Sequence, residues 1–490
     1  ITINTGGEIS NVDVNITISH SSLSNGISNS GTIRSTNGAG IVISNTSTIN
    51  GGISNSGLIS TQTGSILISK TNISDSIFNS GIIQSAQGSG IIITSESTIS
   101  GGISNSGTIQ SGSVDVGIAI TLRSTVEGDI TNEGVIKALG SGDGIIMYGT
   151  STIHGGITNS GTISSVAHNG ISVLNVSHVE GSIFNNGIIS GGMEGVSIHN
   201  GSTVSGNIIN SGTVSGGTNG LSIYSATTIS GSISNSGTIK GSENGLFISS
   251  SATISGGISN SGIIQGTSAI NISSNSNVNH IDIVGQKARI IGTVEAPNTD
   301  VNITTGAIFT SEGSYNVKAF NIDSNALFNM AGAITATTVN NSGTLAITNP
   351  LQTITGNYTQ SKGGLFQTKI SSVTDYGQLS VTGAVDLSQS GEIYAQVNQD
   401  SSLQAGDILS DIISGNTLTT PSNGLNVRDN SYIWTFIPTL NSNKGINLTA
   451  TINPDAYKVC QGTYCQGAAT AIIGQVAAGN PIFNPYAILP

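Results

Sequence analysis

Gly26-Ile27-Ser28-Asn29-Ser30-Gly31-Thr32-Ile33 returns almost unchanged as Ile103-Ser104-Asn105-Ser106-Gly107-Thr108-Ile109 and as Ile233-Ser234-Asn235-Ser236-Gly237-Thr238-Ile239. Its second glycine recurs at Gly31, Gly57, Gly81, Gly107, Gly134, Gly161, Gly187, Gly212, Gly237 and Gly262, at intervals of 24–27 residues. A fixed period in this range marks an array in which each unit buries its apolar side against its neighbours.

The type of array follows from the residues around that glycine. Two places after it stands Ile33, and the equivalent residue is isoleucine in every copy except Val214. Four places before it stands Ile27, and that position is isoleucine in all ten. The residue between glycine and the second isoleucine drifts through Thr32, Leu58, Ile82, Thr108 and Val135. A strict position beside a drifting one is the period-2 mark of a strand with one buried face. β-Branched side chains suit that surface and are poor helix formers. A second apolar alternation follows in each unit, as in Gly40-Ile41-Val42-Ile43, Gly90-Ile91-Ile92-Ile93, Gly144-Ile145-Ile146 and Gly220-Leu221-Ser222-Ile223. A third precedes the next glycine pair, as in Ser47-Thr48-Ile49 and Ser97-Thr98-Ile99. About three short strands per unit, with neither helical nor leucine-rich periodicity, predict a right-handed parallel β-helix (a β-solenoid) with coils of about 26 residues. Ten coils stacked about 4.8 Å apart would span on the order of 50 Å.

Asn29, Asn55, Asn79, Asn105, Asn132, Asn159, Asn185, Asn210, Asn235 and Asn260 stand two residues before the ten glycines. They are expected to stack as a structural ladder at one corner, amide to amide. The corner itself is expected to exploit the tolerance of asparagine and glycine for left-handed backbone.

Composition narrows the function classes. Of 490 residues 8% are charged, 4% are aromatic and 67 are glycine, with a net charge of −12. Thirteen Lys and Arg against 25 Asp and Glu, with no basic run, argue against nucleic-acid binding. No 18-residue apolar run offers a transmembrane helix. The chain starts in mid-pattern at Ile1-Thr2-Ile3-Asn4-Thr5-Gly6, without a secretory signal. Gly6 lies 25 residues before Gly31, so Asn4-Thr5-Gly6 reads as one more corner, opening on a strand edge at Ile1–Asn4 that needs covering.

Four regions follow in order. Residues 1–265 form the regular array. Residues 266–355 read as degenerate coils: the corner lapses and returns at Asn341-Ser342-Gly343, 81 residues after Gly262, or three coils of 27. Apolar alternation persists there in Phe320-Asn321-Ile322, and Phe309 and Ala326-Leu327-Phe328 are expected to bring larger side chains into the core. Residues 356–452 read as a C-terminal β cap, with Tyr394, Tyr432, Trp434 and Phe436 as candidate cap core. Residues 453–490 hold Cys460 and Cys465, expected to close a small disulfide loop in a secreted chain. A short helix is expected at Gly467–Ala478, and an extended proline-containing linker follows it.

The cap region contains Gly356-Asn357-Tyr358-Thr359-Gln360, Gly364-Leu365-Phe366-Gln367, and Tyr376-Gly377-Gln378-Leu379-Ser380-Val381-Thr382-Gly383-Ala384-Val385-Asp386-Leu387. These stretches resemble the C-terminal junction of autotransporter (type V secretion) passenger domains, over about 95 residues. The resemblance implies a β-helical rod whose β-sandwich-like end promotes folding during secretion. It implies an address on, or release from, a Gram-negative outer surface. Members also carry a signal peptide and an outer-membrane barrel, neither of which is read in these residues.

Some β-helices degrade polysaccharides, which requires clustered carboxylates, or carboxylate-bound calcium with a basic side chain nearby. Asp115, Glu127, Asp129, Glu133 and Asp143 are the densest acidic stretch, with Asp115 and Asp143 about one coil apart. His154 and His178 are 24 residues apart and could stack. Neither pattern composes a catalytic or metal-binding motif, so no catalytic residue, metal or cofactor is expected. A row of threonines (Thr48, Thr98, Thr152, Thr203, Thr228, Thr253) offers one outward hydroxyl per coil, not the paired ranks of an ice-binding face. It reads as strand residues facing water. The expected function is non-catalytic: an extracellular surface rod that adheres to host or neighbouring-cell glycans or proteins, or assembles with copies of itself. A polysaccharide-degrading β-helix is the alternative.

Overall fold

The structure, a computed structural model, describes residues 1–113, 115–456 and 463–478, with the backbone alone for 463–466. Parallel strands stacked as a β-solenoid make up nearly all of it. The contacts divide the chain into two compact units: Ile1–Asn279 with Ile291–Glu295, and His280–Ile290 with the chain from Ala296 on.

In the first unit each coil carries four strands, not three, because the Ser30-Gly31 corner splits the opening segment. The first strand is Ile27–Asn29, the second Thr32–Ser35, the third Ile41–Ser44 and the fourth Thr48–Ile49. Each stacks in parallel and in register on its equivalent in the next coil: Ile27 on Ile53, Ile33 on Ile59, Ile41 on Ile66, Ile49 on Ile73. Ile27, Ile33, Ile41, Ile43 and Ile49 are each no more than 1% exposed. Five isoleucines per coil therefore form the core, and removal of their apolar surface from water drives the stacking.

The corner glycines have a different cause from the one expected. None of the ten, and none of the ten asparagines, adopts a positive φ. Instead the coils approach too closely for a side chain: a Cβ built on Gly57 would overlap the Gly31 carbonyl oxygen, and one on Gly134 that of Gly107. Left-handed backbone is found elsewhere, at the turn between the third and fourth strands. There Asn45 and Thr46 have φ of 56° and 59°, Leu122 and Arg123 of 52° and 60°, Asn175 and Val176 of 55° and 62°. A β-branched residue at such a φ is strained. Hydroxyls close the turn: Ser97 Oγ donates to Thr94 O at 2.7 Å and Ser124 Oγ to Thr121 O at 2.7 Å.

The extra corner at Asn4-Thr5-Gly6 is also corrected. Ile3 pairs with Asn29, and Gly7, not Gly6, lies against Gly31. Asn4 is thus one residue out of the asparagine column.

In the second unit, Ile283, Ile303, Ile322, Asn341 and Gln360 occupy equivalent places on successive coils. From Ile283 to Gln360 the coil is therefore 19 or 20 residues long, not 27, and beyond it a spacing of 27 returns, as in Tyr358 on Val385 and Phe366 on Ile393. Larger side chains fill the shorter coils. Phe309 stacks on Phe328 at 5.9 Å and Phe320 lies 4.8 Å from Phe328, ring centre to ring centre. At the end of this unit Trp434–Leu440 and Ile408–Ser414 each pair antiparallel with Gly445–Ile452. Trp434 and Phe436 are buried in this cap, whereas Tyr394 is half-buried and Tyr432 exposed. The helix spans Thr463–Ala477 and buries Ile473 and Val476.

Candidate functional site

The asparagine column runs without a break. Nδ2 of each asparagine donates to Oδ1 of the next at 2.7–2.8 Å, from Asn29 through Asn55, Asn79, Asn105, Asn132, Asn159, Asn185, Asn210 and Asn235 to Asn260. All ten side chains are at most 2% exposed. From Asn55 on, each amide also reaches the carbonyl of the glycine two places ahead in its own corner, at 3.1–3.3 Å. Ile3 stands in the preceding coil, so Asn29 Oδ1 has no donor. These amides satisfy one another and hold a corner. They offer nothing to a ligand.

Two further columns escaped the sequence reading. One lies beside the left-handed turn, where Thr71 N donates to Ser97 Oγ, Ser97 N to Ser124 Oγ, Ser124 N to Ser151 Oγ and Ser151 N to Ser177 Oγ, at 3.2–3.3 Å. The other precedes the third strand: Asp143, Asn169, Glu194, Asn219 and Asn244. Gly117 N donates to Asp143 O, Gly144 N to Asn169 O and Gly170 N to Glu194 O, while Glu194 and Asn244 pair with Asn219 directly. The available signal was a polar residue before the glycine of Gly144-Ile145-Ile146 and of Gly220-Leu221-Ser222-Ile223, repeated in five consecutive coils.

That second column borders a cleft of about 280 Å³. Asp143 is 2% exposed, and its Oδ1 accepts from Asn169 N at 2.9 Å and lies 2.5 Å from His168 Nδ1. Among the described residues the His168 ring bonds to Asp143 alone, so no hydroxyl completes a Ser-His-Asp arrangement. Glu194 Oε1 accepts from Asn219 Nδ2 at 3.1 Å, and Asn219 Oδ1 from Asn244 Nδ2 at 2.8 Å. Ile146, Leu174 and Met193 supply apolar lining. Another part of the wall is the His199–Tyr224 pair, stacked at 4.6 Å and 5°. Burial pushes the Tyr224 hydroxyl pKa up, and Glu194 adds to the shift.

Alternation on the third strand puts Val196 and Ile198 into the core and Ser172, Ser197 and Ser222 on the opposite face, one above the other. All three are buried, and neither Ser197 Oγ nor Ser222 Oγ has a hydrogen-bond partner. The Tyr224 hydroxyl approaches Ser197 Oγ without completing a bond. His199 Nδ1 is likewise unpartnered. Buried polar groups without partners are rare and costly, and they collect where a structure is built for something other than its own stability.

The acidic stretch does not converge. Asp115 lies against Gly142, not Asp143, and lines a separate cleft with Leu67 and Ile92. Asp129 Oδ1 accepts from Gly156 N at 2.7 Å, and Glu133 faces solvent. Glu127 instead flanks His154: Nε2 lies 3.7 Å from it and Nδ1 2.9 Å from Glu180. The bond to Glu180 raises the His154 pKa above 6.5, against a smaller opposing effect of burial. His178 stands beside Thr152, not His154. Single-file threonines on the fourth strand are interrupted by Asn72 and His178. Among the described residues no group of three or more His, Cys, Asp or Glu is placed to hold a metal. The Cys460–Cys465 pairing lies outside the described residues. No described helix is long and apolar enough to cross a membrane.

In the second unit, two residues that carry the junction resemblance, Tyr358 and Gln360, form a buried polar chain with Asn341. Asn341 Nδ2 donates to Tyr358 Oη at 3.0 Å, Tyr358 Oη to Gln360 Oε1 at 2.9 Å, and Gln360 Nε2 to the Ser390 and Glu392 carbonyls. Full burial pushes the Tyr358 pKa far up. The returning Asn-Ser-Gly at 341–343 therefore bonds a tyrosine hydroxyl and is not a step of the asparagine ladder.

What fold and site define together is a β-solenoid with one mixed polar and aromatic cleft on its first unit. No protein-family model and no curated protein matches the chain.

Proposed function

We propose that the protein is a non-catalytic extracellular scaffold of the autotransporter-passenger kind, acting as an adhesin or assembling with its own copies at a Gram-negative cell surface. The observation that carries this reading is the register of the outward columns. On the first strand Ser28, Ser54, Phe78, Ser104, Thr131, Thr158 and Phe184 stand one above another, coil on coil. One face thus presents short polar and aromatic groups at intervals of about 4.8 Å. Repetition of that kind favours multivalent contact, in which individually weak pairings gain by effective concentration. The buried bond between Tyr358 and Gln360 supports the junction resemblance, since it gives those two motif residues a shared structural reason.

The test is binding of the purified full chain to bacterial and epithelial cells, with negative-stain microscopy of the same material. Saturable binding, or filaments with a regular repeat, is expected. A monodisperse chain that binds no cell type would overturn the proposal. A polysaccharide-degrading enzyme is the second reading, favoured by the Asp143–His168 pair beside Glu194. It requires new sugar ends to be released from a polymer, and the release to disappear in Asp143→Asn.

A further inference from the structure

We infer that the cleft bounded by Asp143, Glu194, His199 and Tyr224 binds one neutral sugar ring. The inference rests on the adhesive reading and gives it a ligand class and an address.

The cleft is a mixed site: an apolar wall faces polar groups whose hydrogen-bonding capacity is unfilled. A pyranose has that same division, with C–H groups on its faces and hydroxyls around its rim. The apolar wall (Ile146, Leu174 and the rings of His199 and Tyr224) suits the C–H face. The polar side suits the rim. Glu194 Oε1 is engaged by Asn219, which leaves Oε2 as an oriented acceptor. His168 also lines the cleft, and its ring is bonded to Asp143 through Nδ1, which leaves Nε2 open to a second hydroxyl. Both groups can exchange hydrogen bonds with the rim of a sugar.

Size and charge narrow the class. At about 280 Å³ the cleft lies just below the range of roughly 300–1,000 Å³ typical of small-molecule sites, which fits a single ring rather than a chain of them. Asp143 Oδ1 is held by both His168 and Asn169, which fixes that edge of the cleft. Two carboxylates at the rim, on a chain of net charge −12, disfavour sialylated or phosphorylated sugars.

The experiment presents the full chain to immobilised neutral hexosides and to their sialylated counterparts, with cell binding measured in parallel. At least one neutral hexoside should be retained, its sialylated form should bind more weakly, and the free hexose should compete. Tyr224→Leu, which removes an aromatic face and keeps bulk, should weaken hexoside binding by about tenfold. Glu194→Gln keeps the bond to Asn219 but turns the second carboxylate oxygen from an acceptor into an amide donor, so it should weaken binding severalfold with unchanged circular dichroism. That second variant keeps the test decisive if Tyr224→Leu misfolds. Retention of no neutral hexoside, or retention indifferent to Glu194→Gln, overturns the inference. If cell binding persists in either case, the adhesive reading stands without the cleft; if cell binding and assembly are both missing, that reading falls too.

Discussion

At Asn132 one carboxamide serves three coils. Its Oδ1 accepts from Asn105 at 2.8 Å, and its Nδ2 donates to Asn159 Oδ1 at 2.8 Å and reaches Thr162 O at 3.1 Å. Asn132→Ala would leave a donor on one side and an acceptor on the other without their ladder partners, an expected cost of about 2–4 kcal/mol. Asn29→Ala orphans only Asn55 Oδ1, because Asn29 Oδ1 is already unpartnered, and should cost about half as much. Hydrogen exchange read coil by coil measures both, and equal costs at the two sites would refute the ladder account. The glycines divide by cause in the same way. Gly134 has no room for a Cβ beside the Gly107 carbonyl, so Gly134→Ala should cost more than about 3 kcal/mol. Gly149 has a φ of 70° with nothing closer than 3.5 Å, at a turn that other coils build from Asn45, Ser95 and Asn175. Gly149→Asn should therefore change stability by less than about 1 kcal/mol.

Along the fourth strand, His154 lies between Glu127 and Glu180 and makes those three coils sensitive to pH. Its folded pKa is raised above 6.5, chiefly by the bond to Glu180, so the folded state holds the proton more tightly than the unfolded chain. The resulting stabilisation is complete below pH 6.5 and is lost as pH rises through the folded pKa. An NMR titration should place His154 above 6.5 and return it toward the ordinary value in Glu180→Gln. A titration at or below 6.5 in the parent protein would contradict the geometry. This element also shows what the sequence could disclose. Ile27, Ile33 and Asn29 repeat at the coil period, so core, stacking and ladder were legible from spacing alone. The Glu127–His154–Glu180 file was hidden because coils vary from 24 to 27 residues, and fixed offsets therefore pair the wrong residues. His178 and Asp115 were misplaced for that reason. The cleft was harder still, since Asp143, Asn169 and Glu194 share only their place before a glycine. The unpartnered hydroxyls of Ser197 and Ser222 look in the sequence like any other strand serine.

For the chain as a whole, the two units are held by different means, and that difference should be visible in unfolding. The first combines isoleucine columns with an unbroken amide ladder, and each coil depends on its neighbours. The second begins with shorter coils and holds a cluster of phenylalanines and an antiparallel end that buries Trp434. A single cooperative transition is not expected of such a chain, because it divides into two compact units. Trp434 is the only tryptophan among the 490 residues, so its emission reports the second unit alone. Far-UV circular dichroism follows both, weighted toward the longer first unit. Denaturant titrations read by the two signals should therefore give different midpoints, and Asn132→Ala should shift the dichroism curve while leaving the tryptophan curve in place. Coincident curves, moved together by Asn132→Ala, would mean that the ladder's stability is shared by the whole chain and that the units do not unfold separately.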